Sequence, residues 1–283
     1  MKKLKPQKKK NKNPSFIDGI LQTAALSRQA LGLDARDKID AFIITRQNSD
    51  GGFGENRQQS DLPATFFSVA VLRSLTHAIP LRKVWKYIRK QKIDSNLSLT
   101  DFTYLIRLRL AFPHLKRTEK IMFGHLKQYP DTGIKEQFLL ALAKDDFSSK
   151  RPLPDISLES ATPTLAAGIL LSAQNTDALK DELLARAIKS GGFKMHSKGK
   201  NADLISTASA LFALNKLHAP LHQIYKPSLK YVEALWGKNG GFVSSKKDSS
   251  ENAENTFYAL LALGCLIKFM VRESKKIADT KST

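Results

Sequence analysis

The sequence predicts an all-α protein: a closed ring of inner and outer helices built from about six degenerate helical-hairpin repeats. Three observations carry that expectation. Gly-Gly-Phe recurs at Gly51–Phe53, Gly191–Phe193 and Gly240–Phe242. A Thr inside an apolar run follows each Phe at a near-constant distance, 12 residues to Thr65, 14 to Thr207 and 14 to Thr256. Amphipathic stretches at helical spacing separate the apolar runs. Self-similarity of this kind marks stacked supersecondary units, none of which can bury its apolar face alone.

The elements follow in order. The apolar runs are Asp61–Leu72, Thr100–Ala111, Gly133–Ala143, Pro163–Ala173, Asp203–Leu214 and Asn255–Leu263. The amphipathic stretches are Asp37–Arg46, Leu81–Lys92, Lys116–Gln128, Asp177–Lys189 and Leu221–Trp236. A helix that is apolar nearly all round must be covered on most sides. Outer amphipathic helices cover one side, and the other needs more protein or an enclosed apolar cavity, so the inner helices turn toward a common axis. Asp61, Asp203 and Asn252 stand where N-caps belong, and Pro63 suits a first helical turn. The glycine pairs allow a tight reversal before each inner helix, and the Phe behind them plugs the hairpin end.

The domain expectation is a basic disordered tail over 1–14, one ring domain over 15–271 and a flexible C-terminal tail over 272–283. The net charge is +20, of which seven lysines in the first 12 residues supply +7. A block of Lys, Asn, Gln and Pro buries no apolar area and reads first as a solvated tail, with a charge suited to peripheral contact with anionic membrane. Cys265 is the single cysteine, which excludes an internal disulfide framework and fits a reducing, cytoplasmic setting. The basic start leads into no apolar core of the secretory kind. The longest apolar stretch, Phe257–Ile267, ends at Lys268 and falls short of the ~20 residues a bilayer span needs. No P-loop, dinucleotide fingerprint or HExxH motif is present, and no helix-turn-helix or RNA-binding signature points to specific nucleic-acid recognition. His218 and His222 have i, i+4 spacing, but Pro220 stands between them, so they read as loop and cap.

Gln47-Asn-Ser-Asp-Gly-Gly-Phe-Gly54, with the Thr-bearing apolar helix behind it, resembles the repeat of protein prenyltransferase β subunits and squalene/terpenoid cyclases. The resemblance spans most of 37–270, is strong at the three Gly-Gly-Phe units and fades over roughly 95–175. It implies an α/α toroid whose central funnel holds an isoprenoid or other apolar small molecule. Phe66, Phe67, Phe212, Phe257 and Tyr258 are the expected cavity-lining residues. It also implies a transferase with a zinc site and a protein partner subunit. The family's ligand positions fall on Asp203, Ile205 and Asn255. Ile offers no donor and Asn is a poor zinc ligand, so the expectation is no zinc cofactor. Asp203 is left as the catalytic candidate, with an N-cap role beside it. A family His in the preceding repeat is replaced by Ala161. The family binds diphosphate with basic residues before the Asp, which points to His196, Lys198 and Lys200 in this chain.

The function expected is therefore a prenyltransferase-like toroid that binds an isoprenyl diphosphate or similar lipid, its zinc site largely lost. One alternative is a non-catalytic protein-interaction scaffold. Another is a small terpenoid cyclase using an unrecognised acid. No DxDD cluster exists, and Asp145-Asp146, at an apolar helix end, reads as a solvated cap.

Overall fold

Among the described residues, helices account for every predicted run, and the end of the run Pro163–Ala173 lies outside those residues. The computed structural model describes residues 15–55, 58–75, 81–94, 97–112, 116–130, 133–147, 149, 156–171 and 176–281, so the lysine-rich segment 1–14 lies outside them. In chain order the helices are α1 (Phe16–Ala25), α2 (Leu33–Ile44), α3 (Leu62–Leu75), α4 (Leu81–Lys90), α5 (Leu99–Leu110) and α6 (Lys116–Leu126). Then come α7 (Ile134–Asp146), α8 (Thr162–Leu171), α9 (Thr176–Ala185), α10 (Leu204–Lys216), α11 (His222–Glu233) and α12 (Ala253–Lys281). The apolar helices α3, α5, α7, α8, α10 and α12 form the inner wall, and α2, α4, α6, α9 and α11 form the outer layer. Packing runs α8–α10–α12–α3–α5–α7. Leu142 of α7 and Leu170 of α8 then face the same central cavity.

The three Gly-Gly-Phe turns are built alike, and the Thr explains why. The buried Phe N–H donates to the Thr Oγ1 of the following inner helix: Phe53 to Thr65 at 3.0 Å, Phe193 to Thr207 at 3.0 Å and Phe242 to Thr256 at 3.2 Å. Each Thr hydroxyl donates in turn to the carbonyl four residues back, at 2.6–2.7 Å. The helix starts are capped as the sequence predicts. Asp61, Asp203 and Asn252 accept from the N–H three residues on, at 2.6, 2.8 and 2.7 Å. Phe53, Phe193 and Phe242 are buried at each clasp.

The same turns join neighbouring repeats. Gly51, Gly191 and Gly240 have φ of 97°, 106° and 95°, a region that disfavours side chains. A Cβ there would lie 2.1 Å from the Lys83 carbonyl of α4, 2.1 Å from the Pro227 carbonyl of α11 and 2.6 Å from the Lys38 carbonyl of α2. The last of these docks the turn before α12 on the first outer helix. That contact, with α12 packed on α3, joins the last repeat to the first. Arg46 reinforces the seam by stacking 3.6 Å over Phe42 and donating to the Glu251 carbonyl.

Where the Gly-Gly-Phe signature is missing, other devices substitute. Ser98 caps α5 through Asp101 N–H at 3.0 Å. Arg186 is fully buried and donates to the Leu158, Ser160 and Met195 carbonyls and to Thr162 Oγ1, tying the entrance of α8 to the neighbouring loop. Its charge is met by Glu182 at 2.7 Å.

One expectation is corrected. The segment 272–281 is not a separate tail, because α12 continues to Lys281. Glu273 meets Lys276 at 3.0 Å and His222 at 3.3 Å, while Arg272 donates to the Ala219 carbonyl. The helix also runs on past Lys268. Over Ala253–Asp279, α12 is long and apolar enough by length and composition to cross a membrane, with 67% of its most apolar window buried inside the fold. Helix α1, inside the expected ring domain 15–271, is an element that the sequence pattern does not mark. Ser15 and Asp18 form a capping box at its start. It packs on α12, α3 and α7, crossing the end of the ring where the inner helices finish. Its approach to α12 is backbone-close, since a Cβ at Gly264 would lie 1.9 Å from the Thr23 carbonyl.

Candidate functional site

On the ring axis lies a cavity of about 220 Å³. Phe66, Phe67, Phe212, Phe257 and Tyr258 all line it, together with Tyr104. Phe67 is the hub of this wall, with ring centroids 5.2 Å from Phe66, 5.5 Å from Tyr104, 5.7 Å from Phe257 and 5.8 Å from Tyr258. Small residues of α8, Ala166 and Ala167, leave the space on the opposite side. Helix α1 closes one end with Phe16, Ile17 and Ile20, and Phe16 meets Phe212 edge-on at 6.1 Å. Burial pushes the Tyr104 phenol up to about 12 and raises that of Tyr258 as well, so both stay neutral. The site is an apolar, aromatic-walled pocket with two neutral hydroxyls.

A second cavity, of about 270 Å³, adjoins the first and shares Ile17, Phe66 and Arg107 as walls. Its lining is mostly apolar, but it is the more polar of the two, holding Arg73, Arg107, Asp18 and Asp146. The Asp145-Asp146 pair is therefore not a solvated cap. The Asp146 side chain is 1% exposed and its Oδ2 accepts from Arg107 Nε at 3.1 Å. Asp145 Oδ2 accepts the Phe16 N–H at 2.6 Å, anchoring the start of α1. The cause is α1, which covers a helix end that would otherwise face water. Burial pushes the Asp146 carboxyl up to about 6 against the opposing pull of Arg107.

The residues chosen from the resemblance fall elsewhere. His196, Lys198 and Lys200 are exposed on the loop between strands β1 (Phe193–Lys194) and β2 (Ala202–Asp203), and none of them lines either cavity. Asp203 Oδ1 caps α10, while its Oδ2 and the Tyr231 hydroxyl are buried without a hydrogen-bond partner among the described residues. Burial, and then the nearby Asp203 charge, raise the Tyr231 phenol. Asn255 is buried and Cys265 is fully buried, its thiol pushed up by burial. A catalytic zinc takes three protein donors. The positions here offer Asp203, Ile205 and Asn255, and one Asp203 oxygen is already held by the helix, so the residues do not fit that metal. Among the described residues no group of three or more His, Cys, Asp or Glu is placed to hold a metal ion.

Sequence reasoning missed Tyr104, Arg107 and the α1 residues, and it read Asp146 as solvated. A signal existed for Arg107, which with Arg109 puts positive charge inside a largely apolar inner-helix run.

The prenyltransferase α/α-toroid domain family model matches residues 15–101 and 159–281. The chain belongs to the prenyltransferase α/α-toroid family. The unmatched stretch, 102–158, holds most of α5, all of α6 and α7, and the Arg107–Asp146 pair, so the polar cavity draws on the part of the toroid furthest from the family pattern. No curated protein matches this chain. Within the toroid, the three Gly-Gly-Phe clasps lie in the matched stretches, as do Phe66, Phe67, Phe212, Phe257 and Tyr258.

Proposed function

We propose that this toroid binds an isoprenoid, or a similarly slim apolar molecule, in its central cavity, and that it lacks the zinc-dependent transfer chemistry of prenyltransferases. The observation that carries the reading is the aromatic-walled cavity on the ring axis. Ligand sites are concave and mostly apolar, with a few polar groups that fix orientation. About 220 Å³ is small beside the roughly 300–1,000 Å³ of drug-sized sites, which favours a short chain. The loop bearing His196, Lys198 and Lys200 does not touch the cavity and forms no part of the proposed site. Ile205 and Asn255 support the loss of zinc chemistry. A single buried cysteine agrees with a cytoplasmic setting.

Calorimetric titration of the full chain with short prenols tests this reading. Binding is expected in the wild type and at least about tenfold weaker in Ala167→Phe, which fills the space beside α8. No binding at high micromolar ligand removes the proposal.

A second reading, an interaction scaffold, is favoured by α4. Arg82, Lys83, Lys86, Arg89 and Lys90 are all exposed there, and the helix carries no acid. Such a face suits an acidic protein partner. Charge reversal at Lys86 and Arg89 should then abolish partner binding while Ala167→Phe leaves it intact.

A further inference from the structure

The polar cavity holds an unanswered acceptor. Asp146 is 1% exposed at its side chain, and Oδ2 is held by Arg107. Its other oxygen, Oδ1, is buried with no hydrogen-bond partner among the described residues. A buried carboxylate oxygen left without a donor is costly. Arg107 lies between the two cavities, lining both, and is 11% exposed at its side chain. Its Nε serves Asp146, and its guanidinium has further N–H donors. Arg73 stands on the same wall, where its Nη2 donates to the Ala111 carbonyl. Asp18 completes the polar lining and is engaged with Ser15.

The chemistry selects the group that belongs here. A cationic head would face Arg73 and Arg107. A multiply charged anion would face Asp146 and Asp18, with Asp145 close behind. A hydroxyl donates to one neighbour and accepts from another, and so answers the free Asp146 oxygen and an Arg107 N–H together. We propose that the polar cavity is the head-group site for an alcohol whose hydrocarbon lies in the aromatic cavity, with the hydroxyl between Asp146 and Arg107. This rests on the lipid-binding reading above and places the polar end of the ligand where the inner helices finish, not at the loop bearing Lys198 and Lys200.

The test is calorimetry on the full chain at about pH 8, where Asp146 is the ionised acceptor. The ligands are geraniol, the same carbon skeleton without oxygen, and geranyl diphosphate. Geraniol should bind at least about tenfold tighter than the hydrocarbon and tighter than the diphosphate. Asp146→Ala should bring geraniol down to the affinity of the hydrocarbon and leave the hydrocarbon unchanged. If that variant fails to fold, the wild-type ligand series decides alone. Equal affinities for alcohol and hydrocarbon overturn the head-group site, while the lipid cavity stands. Preference for the diphosphate overturns it too. Binding of none of the three ligands removes both the site and the reading on which it rests.

Discussion

Thr207→Val should cost about 1–3 kcal/mol of stability, and Thr207→Ser clearly less. Thr207 is fully buried, and its Oγ1 accepts the Phe193 N–H at 3.0 Å while donating to the Asp203 carbonyl at 2.6 Å. Valine keeps the shape and removes the acceptor, leaving a buried backbone N–H unsatisfied, and that penalty sets the 1–3 kcal/mol. Serine keeps the oxygen and loses one methyl, worth about 0.8 kcal/mol. Burial of apolar area alone would rank valine as the better replacement, so the order of the two variants separates the explanations. Urea denaturation with an unchanged m-value reads the difference as a shift in midpoint. Thr256 makes the same bond to Phe242 at 3.2 Å and should show the same order. A valine variant as stable as wild type, or more stable than serine at both positions, refutes the clasp as a source of stability.

Two further outcomes follow from the geometry. Gly240→Ala puts a Cβ 2.6 Å from the Lys38 carbonyl at φ 95°, so it should cost at least about 2 kcal/mol and lower the thermal midpoint by roughly 4–8 °C. Raised proteolysis at the seam between α2 and the turn before α12 would show where the last repeat parts from the first, and an unchanged midpoint would contradict a stabilising role for this contact. Asp146 holds its proton longer in the folded state than in the unfolded chain, with a pKa of about 6 against 3.8. Its contribution is therefore fully present below about pH 4 and is lost as pH rises through about 6, at most about 3 kcal/mol. Asp146→Asn should flatten that part of the stability–pH profile, and an identical slope in the variant would count against burial as the cause.

The repeat architecture was legible because its determinants are local. Asp61, Asp203 and Asn252 cap helices three residues away, and each Phe–Thr clasp spans 12 or 14 residues. Spacing in the chain therefore reports spacing in the fold. Helix α1 was overlooked because it carries no Gly-Gly-Phe signature, although Ser15 and Asp18 spelled out its capping box. Lys198 and Lys200 have the right chemistry for an anion, but their positions came from resemblance, and the structure leaves them in solvent. The family pattern likewise weakens where α5 to α7 bring Tyr104, Arg107 and Asp146 to the cavities.

From residue order alone came the hairpin unit, its caps, its glycine reversals and the greasy inner face, all settled by interactions within one or two helical turns or across one short loop. Tertiary structure decided how much of the hollow survives and what borders it. Phe16 must reach Asp145, 129 positions away, before α1 seals the ring and strips water from Asp146. Desolvation depends on everything that surrounds a group, so no local spacing could have announced it.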